Sequence, residues 1–330
     1  MSETRASVLI TGANGFVGSR LCRKFLAEGY HVIAGVRRTA DLSLLRELNV
    51  SYRYGDITKP ETLYEMFAGV DYVIHNAGVT KVKHSRAFFD INEGGTRNVF
   101  EAIAVHNPHV KKVVYISSLA AAGPANDNRP IDENDPPHPI TVYGQSKLAG
   151  EGVALSFAER FNVVVLRPSG IYGPGDKEIF TFFQTVNRRI KPCIGDRRRK
   201  MQLVHVDDLC LAVFQAISHQ TASGLVCFVA ENRAYTMGEL VTILQNACGK
   251  KGIPLWVPGP LFKAIAFVSE TLFKLVGATP MLTVEKSGEL LASWEISTAR
   301  AGQAFGYTSQ IPFEKGARQT FEWYRKEGWL

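Results

Sequence analysis

The chain lacks several features that would assign it to a protein class at once. Its five cysteines, in 330 residues, show neither CxxC nor CxH spacing, so the sequence predicts no disulfide framework and no structural zinc site. It has no helix-turn-helix, zinc-finger or RNP-like pattern, and its densest basic run, RRRK at residues 197–200, contains no aromatic residue. We therefore expect no nucleic-acid partner, although the net charge of +7 makes an anionic small ligand plausible.

Signals for export and for membrane insertion are also missing. The start, MSETRASVLI, has no cationic region followed by an apolar one, so no export is predicted and a reducing cytoplasmic location is expected. The most apolar segment, residues 260–277, contains Lys263, Glu270 and Lys274. These charges make it a poor transmembrane span.

Within that segment, apolar residues recur at helical spacing, at Leu261, Ile265, Val268, Leu272 and Leu275. We expect them to form the buried face of a packed or lid helix. Two alternatives stay open. Residues 260–277 could instead form a hydrophobic wall for a substrate, or a peripheral helix that lies on a membrane surface.

What the first half does contain is a regular alternation of short β-branched runs and helical patterns. The runs cover residues 7–11, 31–36, 51–54, 71–75, 112–117 and 162–167. Such alternation predicts βαβ crossovers and a parallel sheet covered on both faces, which is a doubly wound α/β fold. From about Pro174 the rhythm changes, and we expect a smaller lobe that includes LVCFVA, residues 225–230, as an isolated short strand.

A glycine-rich turn joins the first predicted strand to the first predicted helix. VLITGANGFVGSRL places Gly12, Gly15 and Gly18 there, with Phe16 and Val17 between the last two. Glycine allows a tight turn and a close approach of backbone to a diphosphate, and a helix N-terminus offers free amides to the anion. The spacing is GxxGxxG rather than GxGxxG, but its position directly after a strand predicts a dinucleotide site.

The end of the second predicted strand addresses which nicotinamide dinucleotide is bound. An NAD site usually has a carboxylate there, whereas an arginine suits the 2′-phosphate of NADP. In GVRRTAD, Val36 occupies the place of the acid, and Arg37 and Arg38 follow it. The sequence therefore favours NADP(H), with NAD as the alternative if Asp41 reaches back from the loop.

After the third predicted strand, GDIT contains Asp56 and Ile57. The carboxylate of Asp56 could accept a hydrogen bond from the adenine amino group of the dinucleotide, with Ile57 beside it. It could equally cap its own loop.

The order of the glycine loop, NAG at 76–78, SS at 117–118 and YxxxK at 143–147 resembles the extended short-chain dehydrogenase/reductase superfamily, also called the NAD-dependent epimerase/dehydratase family. The resemblance covers nearly the whole chain. It implies a Rossmann-type doubly wound parallel sheet in a dinucleotide-binding domain, residues 1–173. It also implies a mainly C-terminal mixed α/β substrate-binding lobe, residues 174–330, from which some strands and helices return to the core, and a homodimer.

The resemblance also implies the catalytic roles. Tyr143 would be the general acid/base, Lys147 would hold the nicotinamide ribose, and Ser118 would steady the substrate oxygen, with Ser117 as the fallback. A free phenol has a pKa near 10. A positive charge ~5 Å away at an effective dielectric constant near 20 is worth ~3 kcal/mol, so we expect Lys147 to lower the pKa of Tyr143 by about two units, against the effect of burial.

Other positions take their expected roles from the same resemblance. Asn92 should orient groups near the active site, and the residues beside the nicotinamide and its ribose should be Asn76, Ala77, Gly78, Pro168 and Ser169. In LVHVDD, His205 and Asp207 are expected at a strand end and a helix N-cap, and no metal site is predicted.

Two enzyme classes and one non-enzymatic class remain. Nucleotide-sugar members of the superfamily commonly have an arginine just before the VDD motif, where this chain has Met201, Gln202 and Leu203. We therefore favour an NAD(P)-dependent oxidoreductase that interconverts a secondary alcohol and a ketone on an apolar or conjugated substrate. One alternative is a nucleotide-sugar epimerase in which Lys200 or a neighbouring arginine binds the diphosphate in place of the missing arginine. The other is a non-catalytic nucleotide-binding protein.

Overall fold

The computed structural model of the protein describes residues 5–125, 129–275 and 282–330. Its strands are β1 (Ser7–Thr11), β2 (His31–Val36), β3 (Ser51–Tyr54), β4 (Tyr72–His75), β5 (Lys112–Ile116), β6 (Val163–Pro168), β7 (Gly170–Tyr172), β8 (Ile190–Ile194), β9 (Lys200–Met201), β10 (Leu203–His205), β11 (Leu225–Val229), β12 (Tyr235–Thr236) and β13 (Ile253–Val257). Its helices are α1 (Phe16–Ala27), α2 (Arg86–Phe89), α3 (Gly95–His106), α4 (Val142–Leu155), α5 (Phe180–Asn187), α6 (Val206–Ser218), α7 (Met237–Cys248), α8 (Gly259–Leu275), α9 (Val284–Leu291), α10 (Ala299–Phe305) and α11 (Phe313–Lys326).

Seven strands form one sheet in the order β3–β2–β1–β4–β5–β6–β11, and every neighbouring pair is parallel. The predicted Rossmann-type doubly wound fold is confirmed. The order reverses between β1 and β4, and this switch point opens a crevice beyond the carboxyl ends of the strands.

Both faces of the sheet are covered, as the parallel arrangement requires. Along β1, Val8 and Ile10 pack into the cluster that includes residues of α1 and α6, whereas Leu9 packs into the cluster on the opposite face with residues of α3. This alternation is the period-2 geometry of a strand. All three side chains are fully buried.

The expectation that residues 225–230 form an isolated strand of the lobe is wrong. Leu225–Val229 is β11, which pairs in parallel with β6 and extends the main sheet. The reason lies in its composition, since Cys227, Phe228 and Val229 are all fully buried, and a continuous apolar run is typical of a parallel strand covered on both faces. Helices α6 and α10 also come from the second half of the chain and pack on this sheet.

The lobe has a separate core and small sheets of its own. Strand β13 pairs with β8 and β12 with β9. Its buried aromatic residues come from β7, α5, β12 and α11, and they include Tyr172, Phe183, Tyr235, Phe313 and Tyr324.

Helix α8 contradicts the predicted packed face. Leu261, Ile265, Val268 and Leu272 are 52%, 46%, 54% and 57% exposed, whereas the buried positions are Phe262 and Ala266. The fifth member of the predicted stripe, Leu275, has its side chain outside the described residues. The residues of α8 follow a helical period, but they meet little more than α9. No helix in the described ranges is long and apolar enough to span a membrane.

Candidate active site

The predicted site residues converge because most of them follow strands of the parallel sheet. Gly12 follows β1, Arg37 follows β2, Asp56 follows β3, Asn76 follows β4, Ser118 follows β5, and Ser169 follows β6. Since the carboxyl ends of parallel strands share one edge, these residues border the crevice at the switch point.

The glycine loop forms a cradle that side chains would fill. Gly12 has a φ of +65°, which favours glycine. A Cβ at Gly18 would lie 2.1 Å from the carbonyl oxygen of Gly12, so only glycine permits this close approach. Helix α1 begins at Phe16, which Val17 follows. Its N-cap residue, Gly15, has no side chain that could cap the helix. The first amides of α1 therefore face the crevice side without a side-chain cap, which suits an anion.

Cationic side chains lie at the end of β2. Arg37 and Arg38 are both exposed, and the guanidinium of Arg38 lies 5.2 Å from the ring centroid of Tyr54. Asp41, the residue that could have favoured NAD, instead accepts hydrogen bonds from the backbone N–H and hydroxyl of Ser43 at 2.9 and 3.1 Å. These bonds hold the pKa of Asp41 below its usual value.

Asp56 acts as a loop cap in this structure. Its Oδ1 accepts hydrogen bonds from the backbone N–H of Thr58 at 3.0 Å and from the Thr58 hydroxyl at 2.8 Å. Burial raises its pKa, but these bonds and the charges of Arg37 and Lys59 bring the pKa below the usual value. The neighbouring carbonyl of Ile57 accepts from the side chain of Asn98 at 2.7 Å.

A buried hydroxyl group holds the backbone of the segment that follows β4. The backbone N–H groups of Asn76 and Ala77 both donate to Oγ1 of Thr11 at 3.1 Å. A Cβ at Gly78 would lie 3.9 Å from Nζ of Lys147. This segment therefore runs directly beside the predicted catalytic lysine.

Asn92 is buried and bonds two segments that border the site. Its side-chain amide donates to the carbonyl of Val79 at 3.1 Å and to the hydroxyl of Ser146 at 3.0 Å, and its Oδ1 accepts from the backbone N–H of Val79 at 2.9 Å. It thus ties the segment that follows β4 to α4, the helix that contains Tyr143 and Lys147.

Helix α4 brings Tyr143 against Ser118. Thr141 caps the helix by accepting from the backbone N–H of Gly144 at 3.0 Å. A Cβ at Gly144 would lie 2.3 Å from the carbonyl oxygen of Ala120, so this glycine lets α4 approach the turn after β5. The Ser118 hydroxyl lies close enough to the phenol of Tyr143 there to act on its pKa.

The expected lowering of the Tyr143 pKa is not what the structure shows. Burial raises the pKa of Tyr143 to about 12, the nearby hydroxyl of Ser118 opposes that rise, and the charges of Glu178 and Glu289 add to it. Lys147 contributes no resolved effect. Its Nζ donates to the carbonyl of Ile116 at 2.7 Å, and burial lowers its own pKa to about 7. Desolvation therefore outweighs the predicted attraction at both groups.

The end of β6 contains a polar atom without a partner. Ser169 is buried, and its hydroxyl has no hydrogen-bond partner among the described residues. Buried hydroxyls are normally satisfied. This unsatisfied group next to Pro168, the capless N-terminus of α1 and the glycine cradle all fit a dinucleotide in the crevice.

The sequence reasoning missed a buried ion pair beneath the site. The guanidinium of Arg167 forms a salt bridge with Glu151 at 2.6 Å, and the hydroxyl of Ser117 donates to the same carboxylate. Ser117 is therefore occupied, and Ser118 is the serine that contacts Tyr143. A signal was present, because Glu151 lies one turn beyond Lys147 on α4, and Arg167 is a cation in an otherwise apolar strand run.

Contacts from outside the Rossmann sheet were also missed. The ring of Phe88 on α2 lies 5.8 Å from the ring of Tyr143, centroid to centroid. On α9, the carboxylate of Glu285 accepts a hydrogen bond from the backbone N–H of Val142, the first residue of α4. No sequence spacing relates these residues to Tyr143, because only the tertiary packing of the chain brings them together.

His205 lies at the end of a strand as predicted, whereas Asp207 lies in the first turn of α6 and is not its N-cap. His205 ends β10 and is itself the N-cap of α6, where its Nδ1 accepts from the backbone N–H of Asp207 at 3.3 Å. Burial lowers its pKa to about 4. In the described ranges, no group of three or more His, Cys, Asp or Glu side chains could hold a metal ion.

The positions before the VDD motif are used in packing. Gln202 is buried and bonds the carbonyl of Glu231 and the backbone N–H of Ile296. Lys200 pairs with Glu295 at 2.9 Å. In contrast, Nε and Nη1 of Arg199 are buried and have no hydrogen-bond partner among the residues that the structure describes.

The chain is similar to known proteins in both sequence and fold. The model of the NAD dependent epimerase/dehydratase family matches residues 8–227. The ceramide reductase of Caulobacter vibrioides is 29% identical over 100% of this chain and 98% of its own length. The 2-alkyl-3-oxoalkanoate reductase of Stenotrophomonas maltophilia is 28% identical over 94% of this chain and 97% of its own. The crystal structure of gox2253 has a TM-score of 0.83 at 26% identity, with 98% of this chain and 99% of that one covered.

Proposed function

The chain belongs to the NAD dependent epimerase/dehydratase family, and from this premise we propose that it is an NADP(H)-linked oxidoreductase. The proposed reaction interconverts a secondary alcohol and a ketone on an apolar or conjugated substrate. The observation that carries the proposal is the position of Tyr143 and Lys147 one turn apart on α4, with the Ser118 hydroxyl close enough to the phenol to act on its pKa.

The proton chemistry follows from the electrostatics of Tyr143. With a pKa raised to about 12, the phenol stays protonated at neutral pH and is suited to donate its proton to a carbonyl oxygen. Ser118 would hold the same oxygen by a hydrogen bond. When bound, the nicotinamide supplies a hydride to the carbonyl carbon, so proton and hydride together convert the ketone into the alcohol.

The residues proposed to hold the dinucleotide follow the crevice. The backbone of Gly12, Gly15 and Gly18, with the amides of Phe16 and Val17, would receive the diphosphate. Arg37 would pair with a 2′-phosphate, which is the support for NADP over NAD.

At the other end of the crevice, Lys147 and Gly78 would border the ribose of the nicotinamide, and the unsatisfied hydroxyl of Ser169 would bond the carboxamide beside Pro168. Asn76, Ala77 and Asn92 would fix this wall through the bonds described above. Asp56 and Ile57 would lie near the adenine.

The names of two relatives support a ketone or alcohol substrate with an apolar part. One is a reductase of ceramide and the other a reductase of a 2-alkyl-3-oxoalkanoate, a name that contains both an oxo group and an alkyl substituent. The exposed apolar helix α8 beside α9 is consistent with such a substrate.

One observation favours a second candidate function. Nε and Nη1 of Arg199 are buried and have no hydrogen-bond partner among the described residues, and such a guanidinium suits a diphosphate. A nucleotide-sugar epimerase would use Arg199 in place of the arginine missing at residues 201–203. In that reaction the dinucleotide returns to its starting redox state after each cycle.

We further propose a cytoplasmic homodimer. The location is supported by the cysteines, since all five are buried free thiols. The dimer rests on the resemblance alone, and the molar mass in solution tests it.

The test of the proposed reaction is turnover of NADPH with 2-alkyl-3-oxo acids and long-chain ketones, followed by nicotinamide absorbance. Tyr143→Phe should reduce kcat/KM by about a thousandfold, while dinucleotide affinity stays unchanged. Tyr64→Phe is the matched control, because Tyr64 is 55% exposed and its ring contacts His106 at the end of α3. Full activity in Tyr143→Phe would refute the proposal. Epimerisation of a sugar nucleotide without net NADPH consumption would establish the second candidate.

A further inference from the structure

Two neighbouring elements of the chain, β13 and α8, concentrate exposed apolar side chains, and we name this set the docking face. Its members come from β13 and α8 and are Ile253, Leu255, Trp256, Leu261, Ile265, Phe267, Val268, Leu272 and Phe273. They are nine of the fifteen large apolar side chains that are exposed in the described residues. Such a concentration marks an interaction site rather than the scattered apolar residues of an ordinary surface.

The local structure explains why these side chains face outward. Strand β13 pairs with β8, and no other strand of the described ranges lies beside it. Helix α8 follows immediately and buries a narrow face at Phe262 and Ala266. The remaining apolar side chains of α8 are therefore not covered by any of the described residues.

Cations border the docking face. Lys191, Arg197, Lys250 and Lys251 line a shallow depression of about 420 Å³ beside Pro254 of β13. The sequence shows the same bias, because residues 188–200 contain seven cations and one acid, and no acid occurs between Cys248 and Glu270. An apolar surface with a cationic border is complementary to a layer of anionic headgroups over hydrocarbon.

We propose that the docking face binds the surface of an anionic lipid bilayer. The apolar residues of β13 and α8 enter the boundary between headgroups and acyl chains, and the lysines and arginines contact the headgroups. Trp256 is suited to this boundary, because its Nε1–H already donates to the carbonyl of Gly195 at 3.1 Å while the ring is 55% exposed. A second copy of the chain fits less well, since a two-fold contact would bring two cationic borders together.

Helix α9 contacts both the docking face and the helix that contains Tyr143. Helix α9 packs on α8, and its Glu285 accepts the hydrogen bond from the first residue of α4. A bilayer bound at this face would therefore lie beside the lobe elements that contact the Tyr143 helix. Binding itself does not depend on the proposed reaction, so a binding measurement tests this inference independently.

The experiment is flotation of the full chain with vesicles of phosphatidylcholine alone and of phosphatidylcholine with phosphatidylglycerol. We expect the protein to float with the anionic vesicles only, and to be released at about 1 M salt, where charges are screened within ~3 Å. The emission of Trp256 should shift to shorter wavelength on binding. Lys250→Ala/Lys251→Ala should weaken partitioning by roughly 25-fold, about fivefold for each cation, and Leu255→Ser/Phe267→Ser should abolish it.

Two matched variants test the position of the surface. Arg23→Ala/Arg160→Ala removes two exposed cations from the Rossmann side, and Val105→Ser removes an apolar side chain that is 70% exposed on α3. Both should float like the unaltered protein. The proposal is overturned if the protein stays in solution with anionic vesicles, or if the controls lose binding as much as the docking-face variants. It is also overturned if Leu255→Ser/Phe267→Ser changes the oligomeric state and leaves flotation unaltered.

Discussion

The sheet strand β11 and helix α8 are both apolar segments from the second half of the chain, yet their surroundings are opposite. The last three residues of β11 are fully buried between helices and β6. In α8 most large apolar side chains are exposed. The comparison shows that an apolar pattern determines the type of secondary structure and makes burial of one face favourable. Which surface buries that face is determined by other parts of the fold or by a partner outside the chain.

The largest expected contrast is in stability. Leu9→Ala empties a fully buried position in β1 and should lower the free energy of unfolding by ~3 kcal/mol through lost contacts and a cavity. Leu272→Ala, at a side chain that is 57% exposed, should change it by less than ~0.5 kcal/mol. Urea unfolding of the two variants measures both values.

An equal loss of unfolding free energy in the two leucine variants would contradict the difference between β11 and α8. It would mean that Leu272 lies in a packed interface. In that case the docking face would be covered in solution. Repeating the unfolding at several protein concentrations would identify a second copy as the cover.

The next largest effect concerns the buried lysine. Burial lowers the pKa of Lys147 from 10.5 to about 7, so the unfolded chain binds more protons than the folded one between these two values. The free energy of unfolding should therefore rise with pH from about 7 to 10.5, and the cost of burying the charge is fully present below pH 7. Lys147→Met should remove this cost and stabilise the protein at neutral pH by ~2 kcal/mol net of the lost bond to Ile116.

Thermal unfolding of Lys147→Met across this pH range checks the sign. The variant should have a flatter pH dependence than the unaltered protein and no measurable turnover. A variant that is less stable at pH 7 and equally dependent on pH would contradict the desolvation account. Lys326→Met, at an exposed position of α11, is the control.

The smallest of these effects is cofactor preference. Arg37→Ala should weaken NADP binding about tenfold, the loss of one exposed charge-assisted hydrogen bond worth ~1.5 kcal/mol. NAD affinity should be unchanged, because NAD has no 2′-phosphate. Titration of both dinucleotides by protein fluorescence gives the two ratios. Equal weakening of both would assign Arg37 a structural role and leave the NADP preference without support.

The sheet was predictable because its signals are local. Three strands, including β1 and β2, have the predicted bounds, since a β-branched run between turn residues determines its own conformation. The pairing of Ser118 with Tyr143 was also within reach, because both belong to motifs at known edges of such a sheet.

The pKa values at the site and the contacts made by the lobe could not be predicted from the sequence. The predicted effect of Lys147 on Tyr143 assumed partial solvent screening, but Lys147 is buried, Tyr143 is half-buried, and Nζ of Lys147 bonds the carbonyl of Ile116 instead. The contact of Glu285 with Val142 joins residues 143 positions apart, and no periodicity encodes it. Desolvation and long-range packing are properties of the assembled fold rather than of a sequence window.

The ion pair of Arg167 and Glu151 has a consequence for the evolution of this chain. Removal of either partner leaves a buried charge without compensation, at a cost of ~3 kcal/mol or more. An apolar pair of similar volume could replace both together, but not one at a time. Among descendants and close relatives, positions 151 and 167 should therefore change in concert or not at all, and position 117 should follow them.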